Sequence, residues 1–197
     1  DFRLSTAPDF SDTECERRFM CAWVPRINAS EKQTEWSDDF MNKVLRYDTK
    51  NQIGCGGMAT VYLAMDEILG RSVAVKMVHP HLLDRPETIQ RFANEAKAVA
   101  QLSHENVVRI FDYGEENGKR FLVMEYVERV VLNDLLDQRP PLPALVVLGL
   151  MKQILSGLQA AHRESIYHRD IKPGNVMIDK NGCVKIMDFG IAFLAHQ

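Results

Sequence analysis

The sequence predicts an α+β fold in two lobes: a five-stranded antiparallel sheet with one main helix, followed by the first part of a helical lobe. Three observations predict it. From Tyr47 to about Val127, short apolar runs alternate with polar positions and are separated by glycine-containing turns. One stretch inside that region, residues 84–99, changes to helical spacing. After it the character shifts: Pro140, Pro141 and Pro143 punctuate the chain, and residues 144–162 form a long apolar helix.

Composition narrows the classes. At 197 residues the chain can bury one good core or two small ones. Hydrophobic content of 46% and charged content of 26% are ordinary for a globular protein. A net charge of −3 provides no basic face for nucleic acid and no polybasic membrane patch. The longest apolar run, residues 142–151, is about half of what a membrane span requires, so no span is expected. Cys15, Cys21, Cys55 and Cys183 show no Cys-x-x-Cys pairing and no zinc spacing with the histidines. Free thiols in a reducing compartment, the cytoplasm, are the expectation. Because the first residue is Asp1 rather than methionine, the chain is expected to be a fragment or a processed product.

Residues 1–46 show no clean period and are expected to be a leader, with one helix over 31–45 that aligns Trp36, Phe40 and Val44. From Ile53 the run Gly54-Cys55-Gly56-Gly57-Met58-Ala59-Thr60-Val61-Tyr62 is a glycine-rich turn entering an alternating strand. Such glycines let backbone amides approach phosphate oxygens and adopt positive φ; they also mark ordinary hairpins. Next comes Arg71-Ser72-Val73-Ala74-Val75-Lys76-Met77-Val78, a buried-looking strand with one lysine in its middle. A lysine flanked by Val75 and Met77 is costly without a carboxylate or phosphate partner. Asp84-Arg85-Pro86-Glu87 carries an N-cap acid, an early proline and a capping-box glutamate. Ile89, Phe92, Ala96 and Val99 then define a core-facing stripe, and Glu95 beside it can reach Lys76. Residues 107–113 and 120–126 read as two more strands around Glu116-Asn117-Gly118. A short helix is expected over 132–136. Apolar residues on nearly every side of the 144–162 helix predict its burial.

The densest chemistry lies in His168-Arg169-Asp170-Ile171-Lys172-Pro173-Gly174-Asn175, with Asp188-Phe189-Gly190 beginning thirteen residues after Asn175. Between them Asn181-Gly182, set between apolar runs, predicts a hairpin with a tight primed turn. That hairpin brings Asn175 and Asp188 together. Two hard oxygen ligands side by side suit magnesium on a polyphosphate, because the ion keeps waters and takes few protein ligands.

These motifs, in this order, resemble the eukaryotic-like serine/threonine protein kinases, most closely their bacterial members. The Gly-Gly-Met-Ala-x-Val-Tyr loop and the His-Arg-Asp-Ile-Lys-Pro-Gly-Asn run carry the bacterial likeness, and the resemblance extends from residue 47 to about 195. It implies a bilobal protein-kinase-like fold with a leader over 1–46, an ATP-binding N-lobe over 47–127 and the first part of a C-lobe over 128–197. It also implies transfer of the γ-phosphate of Mg2+-ATP to serine or threonine hydroxyls of protein substrates, with Mn2+ as a substitute metal. No nucleic acid partner is implied, and no oligomeric state is assigned.

By the same resemblance, Gly54, Gly56 and Gly57 would cover the phosphates, and Ile53, Cys55, Met58 and Ala59 of the same loop would belong to the nucleotide site. Lys76, positioned by Glu95, would hold the α- and β-phosphates. Ala74 and Met177 would sandwich the adenine, Val61 would close that side, and Met124 would guard the back of the pocket. Glu125, Tyr126 and Val127 would offer backbone groups to the base. Asp170 would orient or deprotonate the attacking hydroxyl, Lys172 would stabilise the phosphate in flight, and Asn175 and Asp188 would hold the metal. Arg169 resembles its counterparts in kinases switched on by phosphorylation.

Three positions depart from the pattern. Ala59 replaces the third glycine, Val131 replaces a polar residue near the ribose, and the chain ends at Gln197, before the substrate-binding helices of the family. The missing helices predict uncovered apolar surface on the long helix and a tendency to associate. Two other functions remain open: an ATP-binding but inactive scaffold or regulatory module, and a small-molecule phosphotransferase. The latter usually lacks the Ile-Lys-Pro-Gly-Asn continuation.

Overall fold

A computed structural model describes residues 46–57, 59–79, 99–116, 118–128, 130–138 and 141–189, with residues 90, 93, 96 and 97 of an intervening helix. The expected leader and its helix lie outside the described residues, as do the helix start at 84–87, Ile89, Phe92, Met58, Glu95 and Gly190.

Five strands form one antiparallel sheet: β1 (Tyr47–Cys55), β2 (Ala59–Asp66), β3 (Arg71–Val78), β4 (Ile110–Glu116) and β5 (Lys119–Glu125), in the order β1-β2-β3-β5-β4. Central β3 is buried from Val73 through Val78, so both of its faces meet protein. Val73, Val75 and Met77 pack with Tyr47, Ala64, Phe121 and Val123. The opposite face carries Ala74, Lys76 and Val78; Val78 meets Ala96 of the helix and Leu122, while Ala74 joins Val108, Met124 and Val127. Lys76 therefore lies between the helix-facing cluster and a second apolar cluster.

The sheet is strongly curled. Tyr47 on one edge strand donates its hydroxyl to Asp112 on the other at 2.9 Å. The edges of a flat five-stranded sheet would stand about 19 Å apart, beyond the reach of any side chain. Burial, aided by the Asp112 carboxylate, pushes the Tyr47 hydroxyl above its usual range. Gly114 lets the ring of its partner Phe121 lie across β4, because a Cβ there would stand 2.5 Å from that ring.

The expected strand over 107–113 divides. Val107 bridges in parallel to Ile186, and only from Ile110 does the chain join β5. The first part instead exchanges hydrogen bonds with the second lobe: Val108 N–H donates to Ile186 O, and Ile186 N–H donates to Asn106 O, each at 2.9 Å. This crossing strand fastens the two lobes together.

The second lobe contains β6 (Val130–Val131), α1 (Leu132–Gln138), α2 (Ala144–Arg163), a 3-10 turn (Pro173–Asn175), β7 (Val176–Ile178) and β8 (Val184–Ile186). Its strands pair in the order β6-β7-β8. α2 buries one stripe, Val146, Leu150, Ile154, Gly157 and Ala161, at the three- and four-residue spacing of a helix face. Gly157 sets the approach to β8, since a Cβ there would meet Ile186 Cδ1 at 2.9 Å and Asn106 O at 3.0 Å.

The expectation that α2 is buried on nearly every side is corrected, and the uncovered apolar surface also expected on it is present. Leu145, Val147, Leu148, Met151 and Leu155 are exposed, Leu148 to 64%. Among the described residues nothing covers that side. By length and mean hydropathy, 1.5 over its most apolar window, α2 could also cross a bilayer, but Leu150, Ile154 and Ala161 pack in the core.

The β7–β8 turn also differs from expectation. Gly182 N–H donates to Asp179 O at 3.1 Å, and only Gly182 of the turn has positive φ, +73°. With Asn181 and Gly182 at its centre, a primed turn needs positive φ at Asn181, and in type I′ at both. Here the Asp179 carboxylate accepts from Asn181 N–H and Cys183 N–H at 2.8 and 2.9 Å, and this aspartate-centred geometry outcompetes the Asn-Gly preference.

Candidate active site

The segment from His168 to Asn175 is held by its own hydrogen bonds. Asp170 receives Lys172 Nζ at 2.7 Å and Asn175 Nδ2 at 3.1 Å on Oδ2, while Asn175 Nδ2 also donates to the Asp170 carbonyl at 2.8 Å. The Lys172 ammonium, with Asn175 adding to it against partial desolvation, holds the Asp170 carboxyl below its ordinary range. The group is ionised at neutral pH and presents an acceptor. Asn175 is buried, and its nitrogen is committed to Asp170, so its amide oxygen points the other way.

His168 supports this loop from beneath. Its Nδ1 accepts the Asp170 N–H at 3.3 Å, so Nε2 carries the proton and donates to Met187 O at 2.8 Å. The ring packs 4.7 Å from Phe189, centroid to centroid. Met187 N–H in turn donates to Asn175 O at 3.0 Å, which places Asp188 one residue beyond the Asn175 backbone. The hairpin thus brings the two expected metal ligands to one place although its turn differs.

Asp188 faces the sheet. Lys76 Nζ approaches its Oδ1 at 2.6 Å, with the lysine side chain 10% and the aspartate 30% exposed. The lysine has found a carboxylate partner, as its burial requires. Glu95, the expected partner, lies outside the described residues.

One apolar cluster holds five of the residues expected around an adenine. Ala74, Met124 and Val127 are buried in it, and Val61 and Met177 pack against them. Val108 and Met187 complete the cluster and were absent from the sequence expectation. Met187 was findable as the residue before Asp188; Val108 had no local mark. Val131 pairs with Met177 across β6 and β7. Glu125 N–H donates to Arg109 O at 2.8 Å, and its carboxylate holds Lys185 Nζ at 2.8 Å. Behind Met124 lies a cavity of about 20 Å³, room for one water, lined by Val99, Ile110, Leu122, Asp188 and Phe189.

The glycine loop links β1 to β2, with Gly56 N–H donating to Ala59 O at 3.0 Å across its base. Gly54, Gly56 and Gly57 do not use the positive φ open to them. Their contribution is space: a Cβ on Gly57 would meet nothing within 4 Å, and one on Gly56 only Ala59 O at 3.9 Å. Ile53 and Cys55 are exposed beside it. Open backbone of this kind accepts a phosphate chain.

The donor set fits a nucleotide carrying a divalent metal ion. Among the described residues no group of three His, Cys, Asp or Glu could hold a metal alone. One carboxylate and one amide oxygen fit an ion that takes its remaining ligands from phosphate and water.

Comparison with known proteins agrees with this geometry. The protein kinase domain family model matches residues 47–197. Serine/threonine-protein kinase PrkC of Bacillus subtilis is 46% identical over 147 residues, 75% of this chain and 23% of that protein. Serine/threonine-protein kinase PknA of Corynebacterium glutamicum is 46% identical over 145 residues, 71% of this chain and 31% of its own length. The crystal structure of the Mycobacterium tuberculosis PknI kinase domain superposes with a TM-score of 0.69 at 27% identity, covering 78% of this chain and 64% of that one. The chain therefore spans less than a third of these two full-length relatives. The family match begins at the first residue of β1 and takes in the loop, Lys76, the Asp170 network and Asp188, and on this ground the chain belongs to the protein kinase domain family.

Proposed function

We propose that the protein containing this chain transfers the γ-phosphate of ATP to serine or threonine hydroxyls of protein substrates, with Mg2+ preferred and Mn2+ able to substitute. The observation that carries this reading is the Asp170 network. An ionised carboxylate, held by Lys172 and Asn175, stands next to the segment that bears Asp188. When bound, Mg2+-ATP supplies the transferable phosphoryl group and the charge that links it to Asn175 and Asp188.

The chain's own residues do the rest by positioning and electrostatics. Val61, Ala74, Met124, Val127 and Met177 enclose an apolar base, the Glu125 carbonyl and Val127 backbone meet its polar edge, and residues 53–59 lie over the phosphates. Lys76 neutralises phosphate charge, and Glu95 is its proposed second carboxylate partner. Asp170 accepts a hydrogen bond from the acceptor hydroxyl. With its pKa lowered it is a weak base, which suits orientation of the hydroxyl and late proton transfer. Lys172 reaches from Asp170 toward the phosphoryl group. A lysine two residues after the aspartate, as in the serine/threonine kinases this chain resembles, supports that acceptor class.

Cytoplasmic location belongs to the same proposal and is supported by the use of ATP and by the free thiols Cys55 and Cys183. So does assignment of α2 to the core rather than to a membrane. The test is transfer of labelled γ-phosphate to a serine/threonine protein substrate. Asp170→Asn should lower transfer at least about 100-fold while nucleotide binding persists. Transfer that survives this change would refute the role. ATP binding with no transfer by the wild-type protein would favour a scaffold.

A further inference from the structure

The glycine loop has a brace that the site as described does not use. His79 follows the last residue of β3, just beyond the ladder pair Ala59–Val78. Its Nδ1 lies 3.3 Å from the Gly57 carbonyl at the tip of the loop. Its Nε2 lies 3.0 Å from Thr60 Oγ1 on the strand leaving the loop. Thr60 Oγ1 is also 3.8 Å from Cys55 Sγ on the strand entering it. One imidazole thus connects both limbs of the loop to β3.

The donor pattern fixes the ring. A carbonyl can only accept, so Nδ1 carries a proton and donates to Gly57 O. Nε2 then accepts the Thr60 hydroxyl in the neutral ring. Both nitrogens are satisfied in a single orientation. Gly56 and Gly57 have no side chains, and nothing stands within 4 Å of a Cβ on Gly57, so side-chain packing of their own does not hold this tip. Among the described residues, this tip is tied by the Gly56–Ala59 backbone bond and by His79.

We propose that His79 is a positioning residue for the phosphate-binding loop: from the end of β3 it fixes the Gly57 carbonyl and Thr60, holding the loop at the height a triphosphate requires. This rests on the ATP-binding reading of the loop. His79 need not touch the nucleotide. Because the brace acts on the phosphate side, its loss should separate the nucleotide's two halves: adenosine, which reads only the apolar cluster, should bind as before, and the triphosphate should bind more weakly.

The experiment is calorimetric binding of Mg2+-ATP and of adenosine to the intact chain and to His79→Ala, His79→Asn and Thr60→Val. Removing two hydrogen bonds that order the loop should weaken Mg2+-ATP about 5- to 30-fold in His79→Ala, with adenosine unchanged. The asparagine amide can still donate from the Nδ1 position but has nothing at the Nε2 position, so His79→Asn and Thr60→Val each lose the Thr60 bond and keep the Gly57 one, and both should lose an intermediate amount. Equal weakening of adenosine and ATP would mean a general structural role and overturn the inference. So would ATP affinity in His79→Ala within twofold of wild type. If the wild-type chain bound adenosine but not ATP, the phosphate-loop reading would itself fall and the inference with it.

Discussion

Lys76 Nζ meets Asp188 Oδ1 at 2.6 Å, joining the centre of the sheet to the segment after β8 across 112 positions of sequence. Asp188 has φ of +61°, a left-handed conformation that costs a non-glycine residue about 1–3 kcal/mol unless its surroundings impose it. The surroundings do so here. Lys76 holds the carboxylate, and the neighbouring Met187 and Phe189 are fixed by His168. The aspartate expected to hold metal is thus already placed by the lysine expected to hold phosphate.

A double-mutant cycle measures that relationship. Lys76→Met should destabilise the chain by leaving Asp188 partly buried without its cation, and Asp188→Asn should remove much of that penalty. A coupling of about 1–3 kcal/mol in chemical denaturation is expected, whereas additive single effects would show that the pair is not formed in solution.

The Asp170 carboxyl is held below its ordinary range chiefly by Lys172. A lowered folded pKa stabilises the fold above the unfolded aspartate value, and the contribution disappears as pH falls through the folded one. Lys172→Met should therefore move the Asp170 midpoint upward toward the ordinary aspartate value. Carbon-detected carboxyl titration reads this directly without any activity assay, and an unmoved midpoint would assign the shift to something else.

Two glycines should respond in opposite ways. Gly57→Ala puts a methyl into open space on ordinary backbone, so thermal stability should hold while Mg2+-ATP affinity falls. Gly157→Ala forces a methyl against Ile186 and the Asn106 carbonyl, and should cost about 1–3 kcal/mol of stability. Equal stability losses at the two sites would contradict the packing described here.

Much of this was legible in the sequence because the deciding patterns are local. Alternation around Val73, Val75 and Met77 locates β3, and Lys76 stands out because its neighbours are apolar. Asp170, Lys172 and Asn175 stand close together, and their mutual hydrogen bonds follow from short spacing. What stayed hidden depends on distant partners or on competition. The contact of Asp188 with Lys76 arises from topology, and Val108 joins the adenine-side cluster only because the chain crosses from β8 to β4 there. At Asp179, carboxylate bonding to two amides overrode the Asn-Gly preference of the turn. For α2, helical period identified an apolar surface but could not say which side would be covered.

The most direct test of the account is a melting curve of the chain with and without Mg2+-ATP, for wild type and Lys76→Met. Binding to the native state alone stabilises by about 2.7 kcal/mol at a hundredfold excess over Kd. If the pocket assembles from the residues described, the wild-type transition is cooperative, its Tm rises with nucleotide, and the rise is lost in Lys76→Met. A wild-type Tm indifferent to Mg2+-ATP, or an equal rise in both proteins, would contradict it.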